Sequence, residues 1–203
     1  MWVLVFLVFM FITAIYVLKY IAFRRSGYRS TNKNGFFRTI FNRGNYGEFL
    51  TFRCLEKLKG DHKFLTNLYL QKKDGSTTEI DLIMIDETGI YVFESKNYSG
   101  WIFGDEKRKN WVQTLENRQK NYFYNPIWQN RGHINALKSV LGIKDDDFYK
   151  SYIVFSERCT LKKVDSSSPN VRILNRNKLF RIIKEEIDYS PSVFTQLQMD
   201  RIY

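Results

Sequence analysis

Two cysteines and two histidines are all that 203 residues supply of the softer metal ligands. Cys54 and Cys159 lie far apart, so neither a disulfide framework nor a structural zinc site is expected, and a reducing compartment is the simplest setting. There is no internal repeat and no low-complexity tract. Acid is missing from residues 1–43, which carry Lys19, Arg24, Arg25, Arg29, Lys33, Arg38 and Arg43. The net charge of +11 is therefore mostly a property of that segment. The rest of the chain is only mildly basic, which removes the simplest argument for a nucleic-acid-binding surface.

What the N-terminus has is hydrocarbon. "MWVLVFLVFMFITAIYVL" contains one hydroxyl and no charge, and "YIAF" continues it past Lys19. About 20 apolar residues match the ~30 Å core of a bilayer. A basic stretch before the run and a small-x-small site after it are both absent, so an anchor is expected over 1–23 rather than a cleaved signal peptide. The basic residues that follow, in a linker over 24–42, predict a single-pass protein with its C-terminal domain in the cytoplasm.

Beyond the linker the pattern alternates. Leu50, Phe52, Leu55 and Leu58 recur at helical spacing, with Gly60 as a stop signal. "KFLTNLYLQ", "TEIDLIMID" and "GIYVFESKN" read as strands joined by the turns "KKDGST" and "DETG". A hairpin follows from "GWIFG" into "DEKRKNWVQ", with Trp101, Phe103 and Trp111 expected to pack rather than stack on bases. "NPIWQNRGHINALKSVLG" reads as a helix with Asn125 as N-cap, Pro126 at its first position and Gly142 beyond its end. "FYKSYIVFSE" is a further strand, "DSSSPN" a loop and "RNKLFRIIKEEI" a terminal helix. The expected fold is α/β with a mixed sheet.

The third strand ends oddly. Ile90, Val92, Glu94 and Lys96 share a face, because side chains alternate along a strand. Pairing about the turn at Asp86–Gly89 sets Asp81 opposite Glu94. Like charges so placed repel unless something neutralises them. A divalent cation is the natural remedy, and Mg²⁺ takes only one or two protein carboxylates. Two readings stand for Glu48: a site residue, or a capping partner of Asn45. Gln129, His133 and Leu137 share a helical face; His133 is expected to pack on the sheet with a hydrogen bond. Glu79 is expected at the solvent edge.

The segments "GEF", "EIDLI", "GIYVFESKNYSGWIFG", "NPIWQN" and "HINALK", between Arg43 and Glu157, resemble the nuclease-related domain within the PD-(D/E)xK nuclease superfamily. The resemblance implies a PD-(D/E)xK-like mixed β-sheet flanked by helices, with the domain over 43–160 and a C-terminal extension over 161–203. It implies Asp81 and Glu94 as ligands of Mg²⁺ or Mn²⁺, joined by the Ser95 carbonyl. Lys96 would orient or activate water, Glu48 would reach the metal through water, and Gln129 would assist. Ile80 stands where many members have proline. Nucleic acid is the implied partner, DNA ahead of RNA. The alternative is a catalytically inactive module that binds nucleic acid or protein beside the membrane.

Overall fold

The computed structural model describes residues 1–72 and 74–203. Helix α1 (Trp2–Arg25) leads into the short helices α2 (Tyr28–Thr31) and α3 (Phe36–Phe41), then α4 (Arg43–Leu55). Strands β1 (Lys63–Gln71), β2 (Thr77–Asp86) and β3 (Gly89–Lys96) form an antiparallel meander. Strands β4 (Gly100–Asp105), β5 (Asn110–Thr114) and β6 (Lys120–Tyr124) follow, then helix α5 (Pro126–Leu141). The chain closes with β7 (Tyr149–Phe155), β8 (Cys159–Asp165), β9 (Val171–Asn175), α6 (Arg176–Tyr189) and α7 (Gln196–Ile202).

Two mixed sheets result. One has the order β1-β2-β3-β7-β9, with β7 parallel to both of its neighbours. The other has the order β6-β5-β4-β8, with β8 parallel to β4. The fold is therefore mixed α/β with flanking helices, as expected. The alternation of β2 explains how both faces of the first sheet fill. Leu82 and Met84 join Phe49, Phe52, Leu179 and Ile183 in a core under α4 and α6. Ile83 and Ile85 face the other way, towards Ile134 and Leu137 of α5. Both faces of these strands are covered, so their sequences read as nearly continuous apolar runs.

Residues 161–203, read from sequence as an extension, supply β9 to the first sheet and Leu179, Ile183, Phe194 and Met199 to the two cores. Residues 24–42 likewise bury Tyr28 and Ile40. In the hairpin, the indole of Trp111 is buried and lies parallel to Phe155, ring centres 6.1 Å apart. A side chain at Gly104 would meet that indole at 2.2 Å, so only glycine allows the approach. Trp101 departs from the packing expectation: it is exposed, with the Lys162 ammonium 5.4 Å from its ring centre.

Two local expectations are corrected. Helix α4 starts earlier than a cap at Asn45 allows: Asn42 is its N-cap, accepting the Asn45 N–H at 3.1 Å. Glu48 therefore lies inside the helix and caps nothing. The helix also ends at Leu55 with Glu56 as C-cap, before Gly60. The cap and stop of α5 are as expected, with Asn125 accepting the Ile127 N–H and Gly142 left-handed at φ 71°.

Candidate active site

The antiparallel ladder of β2 and β3 runs from Asp86↔Gly89 to Leu82↔Phe93, the register the turn predicts. One step further lie Asp81 and Glu94. Here a side chain takes over from the main chain, and Asp81 Oδ2 accepts the Ser95 N–H at 2.9 Å. Glu94 is buried and held at both oxygens. Lys96 Nζ donates to Oε1 at 2.7 Å, and His133 Nε2 lies 3.0 Å from Oε2. Lys96 Nζ also donates to Gln129 Oε1 at 3.0 Å.

Helix α5 is what delivers Gln129 and His133, one turn apart on the face that meets the sheet. Its N-terminus is pinned by the Asn125 amide, which donates to the carbonyls of Asp105, Glu106 and Arg108 in the β4–β5 turn. Asn130 donates to Val92 O at 2.9 Å and to Ser151 Oγ at 2.8 Å, fixing the helix across β3 and β7. The far nitrogen of His133, Nδ1, lies 2.9 Å from Thr78 Oγ1. The imidazole is thus held at both nitrogens, by Glu94 on one side and Thr78 on the other.

Glu48 arrives on α4. A Cβ at Gly47 would stand 2.8 Å from Asn97 Cβ, so glycine lets the helix touch the end of β3. The contact is held by Ser95 Oγ donating to Thr51 Oγ1 at 3.0 Å and Asn97 Nδ2 donating to Arg43 O at 2.7 Å. Glu48 Oε2 accepts from Asn67 Nδ2 at 3.2 Å, and the same amide reaches Glu79 Oε1 at 3.0 Å. Asn67 lies between the pairs Thr66↔Leu82 and Leu68↔Ile80 of the β1–β2 ladder, across from Asp81. Its φ of 49° is left-handed, which asparagine tolerates better than most side chains. Glu79 is exposed, as expected of an edge residue.

Charges in this cluster do not balance evenly. Burial alone would raise the Glu94 carboxyl, but Lys96 and His133 outweigh it and hold it below the ordinary value. Burial would likewise lower Lys96, yet the Glu94 charge keeps its ammonium above the ordinary range. Asp81 is pushed well up, by burial first and then by the charges of Glu94 and Glu48. Glu48 is pushed up to about 7, by burial against the relief of the Asn67 amide and then by Glu79 and Glu94. One acid is thus neutralised by its partners, and two beside it resist ionising.

Among the described residues, no three His, Cys, Asp or Glu side chains are drawn into a metal-holding cluster. The donor chemistry nonetheless fits a hard divalent ion: two carboxylates and a neighbouring main-chain carbonyl supply oxygen only. Each engaged carboxylate oxygen keeps a second lone pair. Burial lifts Asp81 first, and the repulsion from Glu94 and Glu48 that adds to it is what a bound positive charge would relieve. Asp81 and Lys96 are part-exposed, so the cluster is open to solvent where Glu94 is not. A hollow of about 330 Å³ at Asn97, lined among others by Arg43, Arg158 and Arg176, takes in none of the cluster's side chains.

All five side chains singled out in the sequence are thus in or beside one cluster: Asp81, Glu94, Lys96 and Gln129 at its centre, Glu48 at its rim. His133 is a hydrogen-bonded packing residue, as expected, but its partner is Glu94. Sequence reasoning missed Asn67 and Thr78. The only signal for His133 was its four-residue spacing from Gln129, and nothing local pointed to Asn67.

The model of the nuclease-related domain family matches residues 43–156. An uncharacterized protein of Bacillus anthracis is 36% identical over 162 residues, covering 79% of this chain and 74% of that protein. The matched span opens at the first residue of α4 and closes just past β7, taking in every side chain of the cluster. The chain belongs to the nuclease-related domain family.

Proposed function

We propose that the protein is a metal-dependent phosphodiester hydrolase acting on nucleic acid, DNA ahead of RNA, and anchored in a membrane by α1. The observation that carries this reading is the convergence of Asp81, Glu94 and Lys96 at the split end of β2 and β3, with Gln129 on the Lys96 ammonium.

Asp81 and Glu94, with the Ser95 carbonyl, would hold Mg²⁺ or Mn²⁺. When bound, such an ion supplies Lewis-acid polarisation of a phosphodiester oxygen and a more acidic water. The chain's own groups do the rest. Glu94 and Gln129 fix the Lys96 ammonium, which stays protonated in this setting and so acts as a donor rather than a base. It can orient the attacking water or stabilise charge developing on phosphate. Thr78 holds His133 and His133 holds Glu94, a relay that orients the buried carboxylate. Glu48, with a carboxyl that titrates near neutrality, can accept a proton from water at the rim.

The membrane half of the reading rests on α1, a helix of 24 residues long and apolar enough to cross a bilayer. The exposed basic residues on its C-terminal side favour a cytoplasmic domain; a reporter fused after Tyr203 would be inaccessible from outside intact cells. Cleavage of single- and double-stranded DNA and RNA by the full chain in detergent, with Mg²⁺ or Mn²⁺, tests the chemistry. Activity that disappears in Lys96→Ala supports it. No cleavage of any form, with nucleic acid still retained, would favour the inactive binding module instead.

A further inference from the structure

Helix α3 is built the wrong way round for a water-soluble surface. Thr39 and Ile40 turn inward, while Phe37 and Phe41 are 72% and 63% exposed. These two rings sit one turn apart and lie parallel, their centres 6.2 Å apart. Two large exposed aromatics on a six-residue helix form a continuous apolar face that nothing in the domain covers. Where that face lies is the informative fact. Phe41 packs on Tyr16 of α1 with ring centres 5.7 Å apart, and Phe36 packs on Tyr20 at 5.2 Å and on Phe23 at 5.8 Å.

The depth of those partners follows from helix geometry. Counted from Trp2, about 20 residues cross the hydrocarbon, which brings its boundary near Ile21. Tyr16 then lies roughly 7 Å inside that boundary at ~1.5 Å per residue. Phe41, against Tyr16, must lie at a similar depth. In the same segment, Arg24, Arg25, Arg29, Lys33, Arg38 and Arg43 are exposed and make no ion pair among the described residues. Exposed rings and exposed, unpaired cations on one short segment match the make-up of an interfacial helix, with its apolar face sunk ~5–10 Å and basic side chains at the headgroups.

We propose that α3 is embedded in the bilayer interface beside α1, seating the domain directly on an anionic lipid surface rather than holding it off on a tether. This rests on α1 spanning the membrane. Arg53 Nη1 donates to Ala22 O at 2.9 Å, and Ser26 Oγ and the Gly27 N–H both donate to Glu56 Oε2. These bonds bind the end of α1 to α4 across the turn. Since α3 passes through Asn42 straight into α4, and Arg43 O accepts from Asn97, the candidate site is held close to the lipid surface. The partner is the bilayer interface: acyl chain for Phe37 and Phe41, anionic headgroup for the cations.

The test uses the full chain reconstituted in phosphatidylcholine–phosphatidylglycerol vesicles, with and without bromine on the acyl chains. Trp2→Phe serves as background, and Phe41→Trp or Phe37→Trp is added to it. Read as the difference from that background, which keeps Trp101, Trp111 and Trp128, the added indole should emit at shorter wavelength than an exposed one, lose most of its signal to brominated lipid and be protected from iodide. Water-like emission quenched by iodide overturns the proposal. So does blue-shifted emission untouched by bromine, which would mean that protein, such as a second copy of the chain, covers the face. Failure of the spanning reading is separately visible: Trp2 of the unsubstituted chain would then escape bromine, and alkaline carbonate would release the protein from the vesicles.

Discussion

Asp86 and Asp81 leave the same strand and meet opposite fates. Asp86 is buried, yet its oxygens are fully engaged: Oδ2 with His62 Nδ1 at 2.7 Å, Oδ1 with the Thr88 N–H at 2.9 Å and the Thr88 hydroxyl at 2.6 Å. Burial works to raise its carboxyl, but His62 and Thr88 prevail and hold it below the ordinary value. Asp81 accepts one main-chain N–H and faces two other carboxylates, and it is pushed well up. Loss of solvent acts on both, though Asp81 keeps partial exposure where Asp86 has almost none. What differs is whether the chain supplies the compensating charge, as it does for a structural acid, or leaves it to be supplied from outside. Glu106, at the far side of the second sheet, sides with Asp86: the hydroxyls of Ser168 and Ser167, with Arg131, hold it down at about 2.

The comparison can be broken at several points. The largest effect is expected at Lys96→Ala, which removes the proposed donor to phosphate and should cut the cleavage rate by about 10²-fold or more. A rate within a few-fold of the unsubstituted chain would detach Lys96 from the chemistry. Next comes Asp86→Ala, which leaves buried His62 and Thr88 without their acceptor and should lower unfolding stability by roughly 3 kcal/mol. Thermal unfolding in detergent measures it, with cleavage by the surviving folded fraction unchanged.

Asp81→Asn should move stability the other way. The amide oxygen can still accept the Ser95 N–H, while a repelling charge is gone, so a gain of up to about 1 kcal/mol is expected in cation-free buffer at pH 8. A loss matching that of Asp86→Ala would erase the distinction between the two aspartates.

A further effect is in pH. The raised Glu48 carboxyl, from 4.5 to about 7, makes the folded chain hold a proton that the unfolded chain has released. Its contribution therefore erodes as pH rises from 4.5 to about 7 and is level above that. His62, raised chiefly by its bond to Asp86, contributes stability that is full below 6.5 and lost as pH rises through its folded value. Asp86 contributes above 3.8, and that part is lost as pH falls through its depressed folded value. Stability followed from pH 5 to 8 should thus decline, and Glu48→Gln should flatten the acidic part of that decline.

Much of the site was legible because it depends on short-range rules. The turn after Asp86 sets the register, the register sets Asp81 beside Glu94, and strand alternation adds Lys96. The α5 caps were equally local. What escaped depends on longer range. Strands β6, β8 and β9 are short or polar, as "KNYFY" and "CTLKKVD" show, and gain their identity from the neighbours they pair with. The start of α4 was misplaced because Asn42 and Asn45 carry the same capping chemistry, and only the path of the chain from α3 selects between them. His133 could be assigned to a face but not to Glu94, since no sequence rule says which strand end a helix crosses. Asn67 acquires its role from a backbone conformation that "LTNLYL" gives no reason to expect.

The central claim is that Asp81, beside a Glu94 already paired with Lys96 and His133, lacks a compensating charge that a divalent cation would supply. Calorimetric titration of Mn²⁺ into the full chain at pH 8, beside Asp81→Asn and Asp86→Asn, tests it most directly. The account predicts binding to the unsubstituted chain, retained in Asp86→Asn and weakened tenfold or more in Asp81→Asn, the scale of losing one carboxylate ligand. No binding to the unsubstituted chain, or equal binding to all three, would contradict it.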